Sequence, residues 1–407
     1  MEEQKLEENI FRKQLEKTTV FKNRKAITPH YTPTKLPFRD RQIEEISQIL
    51  SASLHGAKPD NIFIYGKVGT GKTVTVNNVL CQLRDFISHS NNSKVNFAYV
   101  NCRNHNSKYK VILKSLSKFY PSEDFIGYSS AFVYEKLLKY AGENRQLILV
   151  LDEVDKVRDL DELIYALTRS NDELQSGGIS LIGISNNLFL KDKLDARTKS
   201  ALLQREMVFP PYNASELKAI LDERAKMAFK DNSVEDSAIN FAAALAAQES
   251  GDARSAVMLM LRAGEEADRS LSPIVTDEHV SLAKSRVEEE VTLNMVETLP
   301  KQQQLVLYAI SMMTIQGKGY GKLIGGREEG VFFSGDAYRE YERVSAGMGE
   351  QVVSSRWFRE YVNELETYGL LLTTASGKGV RGTTTLIRLG FDAKKLYKAL
   401  EKELMVA

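Results

Sequence analysis

Cysteine is almost absent from this 407-residue chain: Cys81 and Cys102 are the only two, too few for a disulfide framework. A reducing, cytoplasmic setting is therefore expected. No stretch approaches the roughly eighteen uninterrupted apolar residues that a bilayer span needs. The opening Met1-Glu-Glu-Gln-Lys-Leu-Glu-Glu is charged and lacks the apolar centre of a secretory signal. Neither sign of charge dominates: 55 Lys and Arg face 54 Asp and Glu, a formal net charge of +1. A nucleic-acid surface would thus have to come from local clustering rather than a global excess. Internal repeats and extended low-complexity tracts are also missing. What is present is ordinary soluble composition, 43% hydrophobic and 27% charged, in a chain long enough for two or three domains.

One octapeptide stands out. Gly66-Lys67-Val68-Gly69-Thr70-Gly71-Lys72-Thr73 fits the Walker A pattern G-x-x-x-x-G-K-[ST]. It follows Ile62–Tyr65, an apolar run that reads as a buried strand. Glycines let the backbone turn its N–H groups toward phosphate oxygens, and the helix expected from Lys72 adds its positive dipole end. Lys72 would reach the β- and γ-phosphates and Thr73 would ligate Mg²⁺. A second motif, Leu147-Ile-Leu-Val-Leu-Asp152-Glu153, has the form of a Walker B strand. Its Asp152 is a candidate for holding Mg²⁺, and its Glu153 for polarising the attacking water.

Apolar strands alternating with helical segments from Ile62 to Ile184 indicate a parallel sheet covered on both faces. Residues 1–16 read as a charged tail. Residues 17–41 form a basic, proline-broken segment with seven cations against Asp40. Pro210-Pro211 closes an α/β domain of residues 17–211. The alanine-rich stretch 212–290 reads as a helical lid, and 291–407 as a winged helix-turn-helix with a glycine-rich insertion at 317–349. In the last segment Arg356 and Arg359 open the second helix, while Lys378 and Arg381 lie on the wing hairpin, positions suited to DNA. Winged helices also bind proteins, and both uses stay open on charge alone. Asn186 after the strand ending at Ser185 either senses phosphate or merely turns the chain. Arg197 is either an arginine finger for a neighbouring subunit or a solvated cation. Arg254, at a helix start, is positioned to report on the γ-phosphate.

Together these motifs resemble the archaeal origin-recognition initiators, akin to the large subunit of the origin recognition complex and to cell division control protein 6. Those are AAA+ ATPases with a C-terminal winged helix. The likeness runs from Pro37-Phe-Arg-Asp-Arg41 to the wing and includes Tyr99-Val-Asn-Cys-Arg103, Asp195–Leu202, Val208-Phe-Pro-Pro-Tyr212 and Gly251-Asp-Ala-Arg254. It implies that Asn186 belongs to sensor 1, Arg197 is the arginine finger and Arg254 is sensor 2. It further implies nucleotide contacts from Tyr212 and Arg224, and a DNA-touching insertion around Tyr128–Tyr140 carrying Tyr134, Lys136 and Lys139. Two departures are Phe38-Arg39-Asp40 where the family has a His-Arg-Glu type pattern, and Ala196 where proline is common.

The resemblance implies ATP/ADP and Mg²⁺ as ligands and slow hydrolysis used as a switch. Its implied partners are double-stranded origin DNA, the replicative minichromosome maintenance helicase, and other initiator copies or paralogues, with a nucleoid-associated location and no membrane. A signalling P-loop ATPase using its winged helix for protein contacts, or a transcription regulator on an initiator scaffold, are the alternatives.

Overall fold

The computed structural model describes residues 19–33, 35–90, 94–202, 204–321, 327–375 and 384–406. The charged tail, Lys17, the wing cations Lys378 and Arg381, and part of the glycine-rich insertion fall outside them. Two compact units divide the chain between Ala283 and Lys284.

In the first unit, α1 (Asp40–Ser51) leads to β1 (Asn61–Tyr65), α2 (Lys72–Ser90), β2 (Val95–Asn101), α3 (Lys108–Phe119), α4 (Ser130–Gly142) and β3 (Gln146–Asp152). There follow α5 (Leu160–Glu173), β4 (Gly178–Ser185), α6 (Leu190–Lys193), α7 (Ala196–Leu202) and β5 (Gln204–Val208). The sheet order is β2-β3-β4-β1-β5, with every pairing parallel. Side chains alternate between its faces, so each strand feeds two cores. Phe63, Leu147, Leu149, Leu151 and Leu181 pack on one side; Ile62, Ile64, Ile148, Val150 and Ile182 pack on the other.

Strand order fixes the chemistry. β4 lies between β1 and β3, so residue 186 emerges between the loop after β1 and the acid that ends β3. All three meet at the carboxyl end of the sheet, where parallel α/β folds bind ligands.

The lid comprises α8 (Ala214–Ala228), α9 (Asp236–Glu249), α10 (Ala253–Arg269) and the start of α11 (Asp277–Thr298). A capping box starts α8, with Asn213 and Glu216 satisfying each other's backbone N–H groups. The basic, proline-broken segment packs on the lid. Val20, Phe21, Ala26 and Ile27 are buried in the lid core. Phe21 and Phe229 stack with ring centroids 4.8 Å apart, and the Lys230 N–H donates to Val20 O. Two of its cations pair with lid acids, Lys22 with Asp231 at 3.3 Å and Arg24 with Glu265.

In the second unit α12 (Lys301–Ile315) is buried on nearly every side from Gln303 to Ser311. It precedes a two-stranded ribbon, β6 (Gly319–Gly321) with β7 (Arg327–Glu329), then β8 (Val331–Phe333). Next come α13 (Ser334–Gly347), α14 (Ser355–Thr367), β9 (Leu371–Ala375), β10 (Thr385–Leu389) and α15 (Ala393–Val406). The antiparallel sheet β8-β10-β9 with α12–α14 is a winged helix. The stretch read as an exposed insertion supplies much of this core: Phe332, Ala337 and the fully buried Tyr341 lie in it.

Candidate active site

A cleft of about 610 Å³ opens at the carboxyl end of the first sheet. Its polar lining includes Gly69, Gly71, Lys72, Thr73, Asp152, Glu153, Asn186 and Arg254. Pro29, Tyr31, Pro33, Leu36, Ile220 and Val257 add apolar lining. The volume and the mixed lining suit a nucleotide, which carries a base and charged phosphates.

Gly69 and Gly71 have φ of 72° and 91°, where an L side chain is strained. Space forbids one as well. A Cβ on Gly69 would fall 1.4 Å from Asp252 Oδ1, and one on Gly71 would fall 2.9 Å from the Tyr212 hydroxyl.

Lys72 is 6% exposed. Its Nζ donates to Gly66 O and Lys67 O, both at 2.7 Å, and to Asn186 Oδ1 at 2.8 Å. Burial pulls it down to about 8; Asp152 opposes that shift and Arg254 adds to it. The structure therefore brings the Asn186 amide directly onto the loop lysine.

Asp152 accepts three hydrogen bonds: at Oδ2 from Thr73 Oγ1 (2.9 Å) and the Tyr99 hydroxyl (2.6 Å), and at Oδ1 from the Glu153 N–H (2.9 Å). Because Thr73 gives its proton to Asp152, its oxygen lone pairs remain for a cation. Among the described residues no group of three or more His, Cys, Asp or Glu is arranged to hold a metal. One hydroxyl and one carboxylate still fit Mg²⁺, which keeps water and phosphate oxygens as its other ligands. Glu153 sits in the left-handed region, φ 52° and ψ 44°, a conformation that costs a non-glycine residue about 1–3 kcal/mol. That turn aims its side chain along the cleft wall.

The lid reaches the same loop. Asp252 caps α10, accepting the Arg254 N–H at 2.7 Å, and the Ala253 N–H donates to Gly69 O at 3.3 Å. Tyr212, buried beside Gly71, lies under the Arg39 guanidinium at 3.9 Å.

Arg39 was legible as one cation of a basic segment and as part of the family-like Pro37–Arg41 stretch, with no role attached. It is 2% exposed, and donates from Nε and Nη2 to Thr70 O (3.0 and 2.8 Å) and from Nη2 to Pro210 O (3.0 Å). It thus joins the phosphate loop to the sheet–lid junction. Arg39→Ala would strand those buried carbonyls and is expected to cost about 2–4 kcal/mol of stability, read as a lower denaturation midpoint in urea. An unchanged midpoint would mean the contacts carry no net energy.

Other expected site residues make contacts within the protein or point to solvent. Arg224 lines the cleft, but its guanidinium donates to Ala26 O (2.9 Å) and Tyr31 O (2.8 Å), so it anchors the N-terminal segment. The Arg197 side chain is 83% exposed near Asp195 and is not brought to this cleft. On α4, Tyr134 turns inward, donating its hydroxyl to Ala166 O, and Lys136 pairs with Glu123 at 3.1 Å. Those two side chains are engaged within the protein; Tyr128 and Phe132, stacked with centroids 4.5 Å apart, are the exposed aromatics there. On α14, Arg356 and Arg359 are exposed, as is Trp357 between them.

Family models match three stretches: an AAA domain over residues 57–189, a Cdc6 AAA+ ATPase-type lid domain over 218–285, and a CDC6 C-terminal winged helix domain over 294–399. The ORC1-type DNA replication protein 1 of Archaeoglobus fulgidus is 39% identical over 400 residues, covering 97% of this chain and 94% of that one. The chain belongs to the ORC1-type DNA replication protein family. A second member, from Thermococcus kodakarensis, is 36% identical over 96% of this chain and 94% of its own. The solved structure of the Aeropyrum pernix ORC1 protein in complex with DNA superposes with a TM-score of 0.67 at 33% identity, covering 96% and 98% of the two chains. A Cdc6p structure from Pyrobaculum aerophilum, 22% identical with a TM-score of 0.58, shares the fold over 95% of this chain and 99% of its own. The protein is thus an AAA+ replication initiator with a winged helix. Among its described residues no helix is long and apolar enough to cross a membrane.

Proposed function

We propose that this ORC1-type protein is an ATP-controlled switch that binds origin DNA and, with ATP bound, recruits or loads the replicative minichromosome maintenance helicase. The observation that carries the switch is the contact of the lid with the phosphate loop: Asp252 and Ala253 rest on Gly69, so phosphates entering there bear on both. The proposed domain spans are 17–211 for the ATPase core, 212–290 for the lid and 291–407 for the winged helix; the three matched stretches fall inside them.

In this reading Lys72 and the loop N–H groups of residues 66–73 hold the β- and γ-phosphates. Arg254 contacts the γ-phosphate and Asn186 orients Lys72 and the attacking water. Glu153 accepts the proton of that water. Mg²⁺ beside Thr73 and Asp152 would neutralise charge on the transferring phosphoryl group. Tyr212 and the proline segment enclose the base. Arg197, exposed, faces a second initiator copy or a paralogue. Turnover is slow, because a switch needs one hydrolysis per event.

DNA binding is assigned to α14 and the wing, with Arg356, Arg359, Lys378 and Arg381, and to the surface of α4. That the Aeropyrum pernix relative was solved in complex with DNA supports DNA binding as such, and the exposure of Arg356 and Arg359 supports α14 as one place for it. Arg356→Ala and Arg359→Ala should each weaken duplex binding and flatten its salt dependence, by about 0.9 in the log–log slope for each phosphate no longer neutralised. Fluorescence anisotropy at several salt concentrations reads this; two unchanged slopes would move α14 off the DNA. The function as a whole is tested by comparing chromosomal origin fragments with random duplex at physiological salt. Equal affinities would overturn it, and mapping the protein to promoters instead would favour a transcription regulator.

A further inference from the structure

Asp152 is held by a donor that belongs to neither nucleotide motif. β2 and β3 pair in parallel with Asn101 opposite Asp152 and Tyr99 opposite Val150. Tyr99 and Asn101 therefore share a sheet face, and Tyr99 leans forward along its strand to Asp152. Its hydroxyl donates to Oδ2 at 2.6 Å, the shortest of the three hydrogen bonds that carboxylate accepts.

An ionised carboxylate offers about four lone-pair sites on two oxygens. The Glu153 N–H occupies Oδ1, and Thr73 and Tyr99 share Oδ2. The bond from Thr73 alone cannot fix the plane of the group, because a hydroxyl rotor follows its acceptor. Tyr99 is a rigid ring on a strand, lining the cleft and anchored through the β2–β3 pairing.

We propose that Tyr99 is a positioning residue for the metal: it locks the Asp152 carboxylate in the orientation that faces Thr73 and thereby sets Mg²⁺ affinity. The inference rests on the reading of Thr73 and Asp152 as the Mg²⁺ ligands. Outer-shell partners of metal ligands commonly carry about 10- to 100-fold in metal affinity.

Tyr99→Phe deletes the hydroxyl and keeps the ring. With the full-length protein and a fluorescent ATP analogue, affinity is measured in EDTA and across a Mg²⁺ titration. The variant is expected to need about tenfold more Mg²⁺ for half of the metal-dependent gain in affinity. Excess Mg²⁺ should then restore that gain, which a collapsed pocket would not allow. A Mg²⁺ midpoint equal to wild type, including the case where affinity falls equally with and without metal, overturns the proposal. Asp152→Asn is the control for the underlying reading and should abolish the gain. If Asp152→Asn keeps the wild-type Mg²⁺ titration, the metal assignment itself fails, whatever Tyr99→Phe does.

Discussion

Lys72→Ala is expected to weaken ATP binding by about a hundred- to a thousandfold, corresponding to roughly 3–4 kcal/mol for a buried charge removed from its partner. The ammonium spends its three donors on two loop carbonyls and Asn186 Oδ1, so it is already held at the loop and has to exchange one of these bonds for phosphate. Alanine loses both the charge and that preorganisation. Calorimetric titration with ATP measures the loss, and affinity within threefold of wild type would remove Lys72 from the site.

The same lysine predicts a pH effect. Its pKa in the free protein is about 8, below the ordinary 10.5, because burial disfavours the charge. The unfolded chain therefore binds more protons between those values, so this group makes the nucleotide-free protein more stable as pH rises through that window. Bound phosphates favour the charged form, so nucleotide binding takes up a proton there and weakens as pH climbs above about 8. Titrations at pH 7 and pH 9 test the sign.

Glu153→Gln is expected to keep ATP binding and lower single-turnover hydrolysis by about 10²–10⁴-fold, the usual scale for losing a general base. Glutamine preserves shape and cannot take a proton. The side chain lines the cleft from a residue with a left-handed backbone, a strain kept at the end of a fully buried strand. A single-turnover rate near wild type would pass the base role to another group. Origin DNA affinity in the presence of ATP should persist in this variant and disappear in Lys72→Ala, which separates holding nucleotide from consuming it.

Much of this was legible because it is local. The phosphate loop is contiguous, and Leu147–Asp152 is apolar enough to read as a strand buried on both faces. What escaped depends on contacts between distant residues. Arg39 meets Thr70 and Pro210 only after folding, and Tyr99 meets Asp152 through strand pairing. β5 was hidden because Gln204-Arg-Glu-Met-Val is a charged edge strand, with Arg205 held by Asp60 at 3.0 Å and Glu206 by Lys191. Glycines flanking α13 disguised a core helix as an insertion. Tyr134 and Lys136 were named through the family resemblance; Tyr134 borders the buried Val133–Leu137–Ala141 stripe of α4 and bonds Ala166 O, and Lys136 pairs with Glu123.

The N-terminal segment has a consequence for how the chain is made. Val20 and Phe21 are made long before their partners, Asp268, Phe229 and Lys230. Closing that loop brings together residues 248 positions apart, and closure entropy must be met before the pairing returns anything. The sheet strands, β1 through β5, are all complete before the lid exists to receive Val20. Residues 19–27 therefore cannot reach their buried places until the lid, more than two hundred residues further along, has been made.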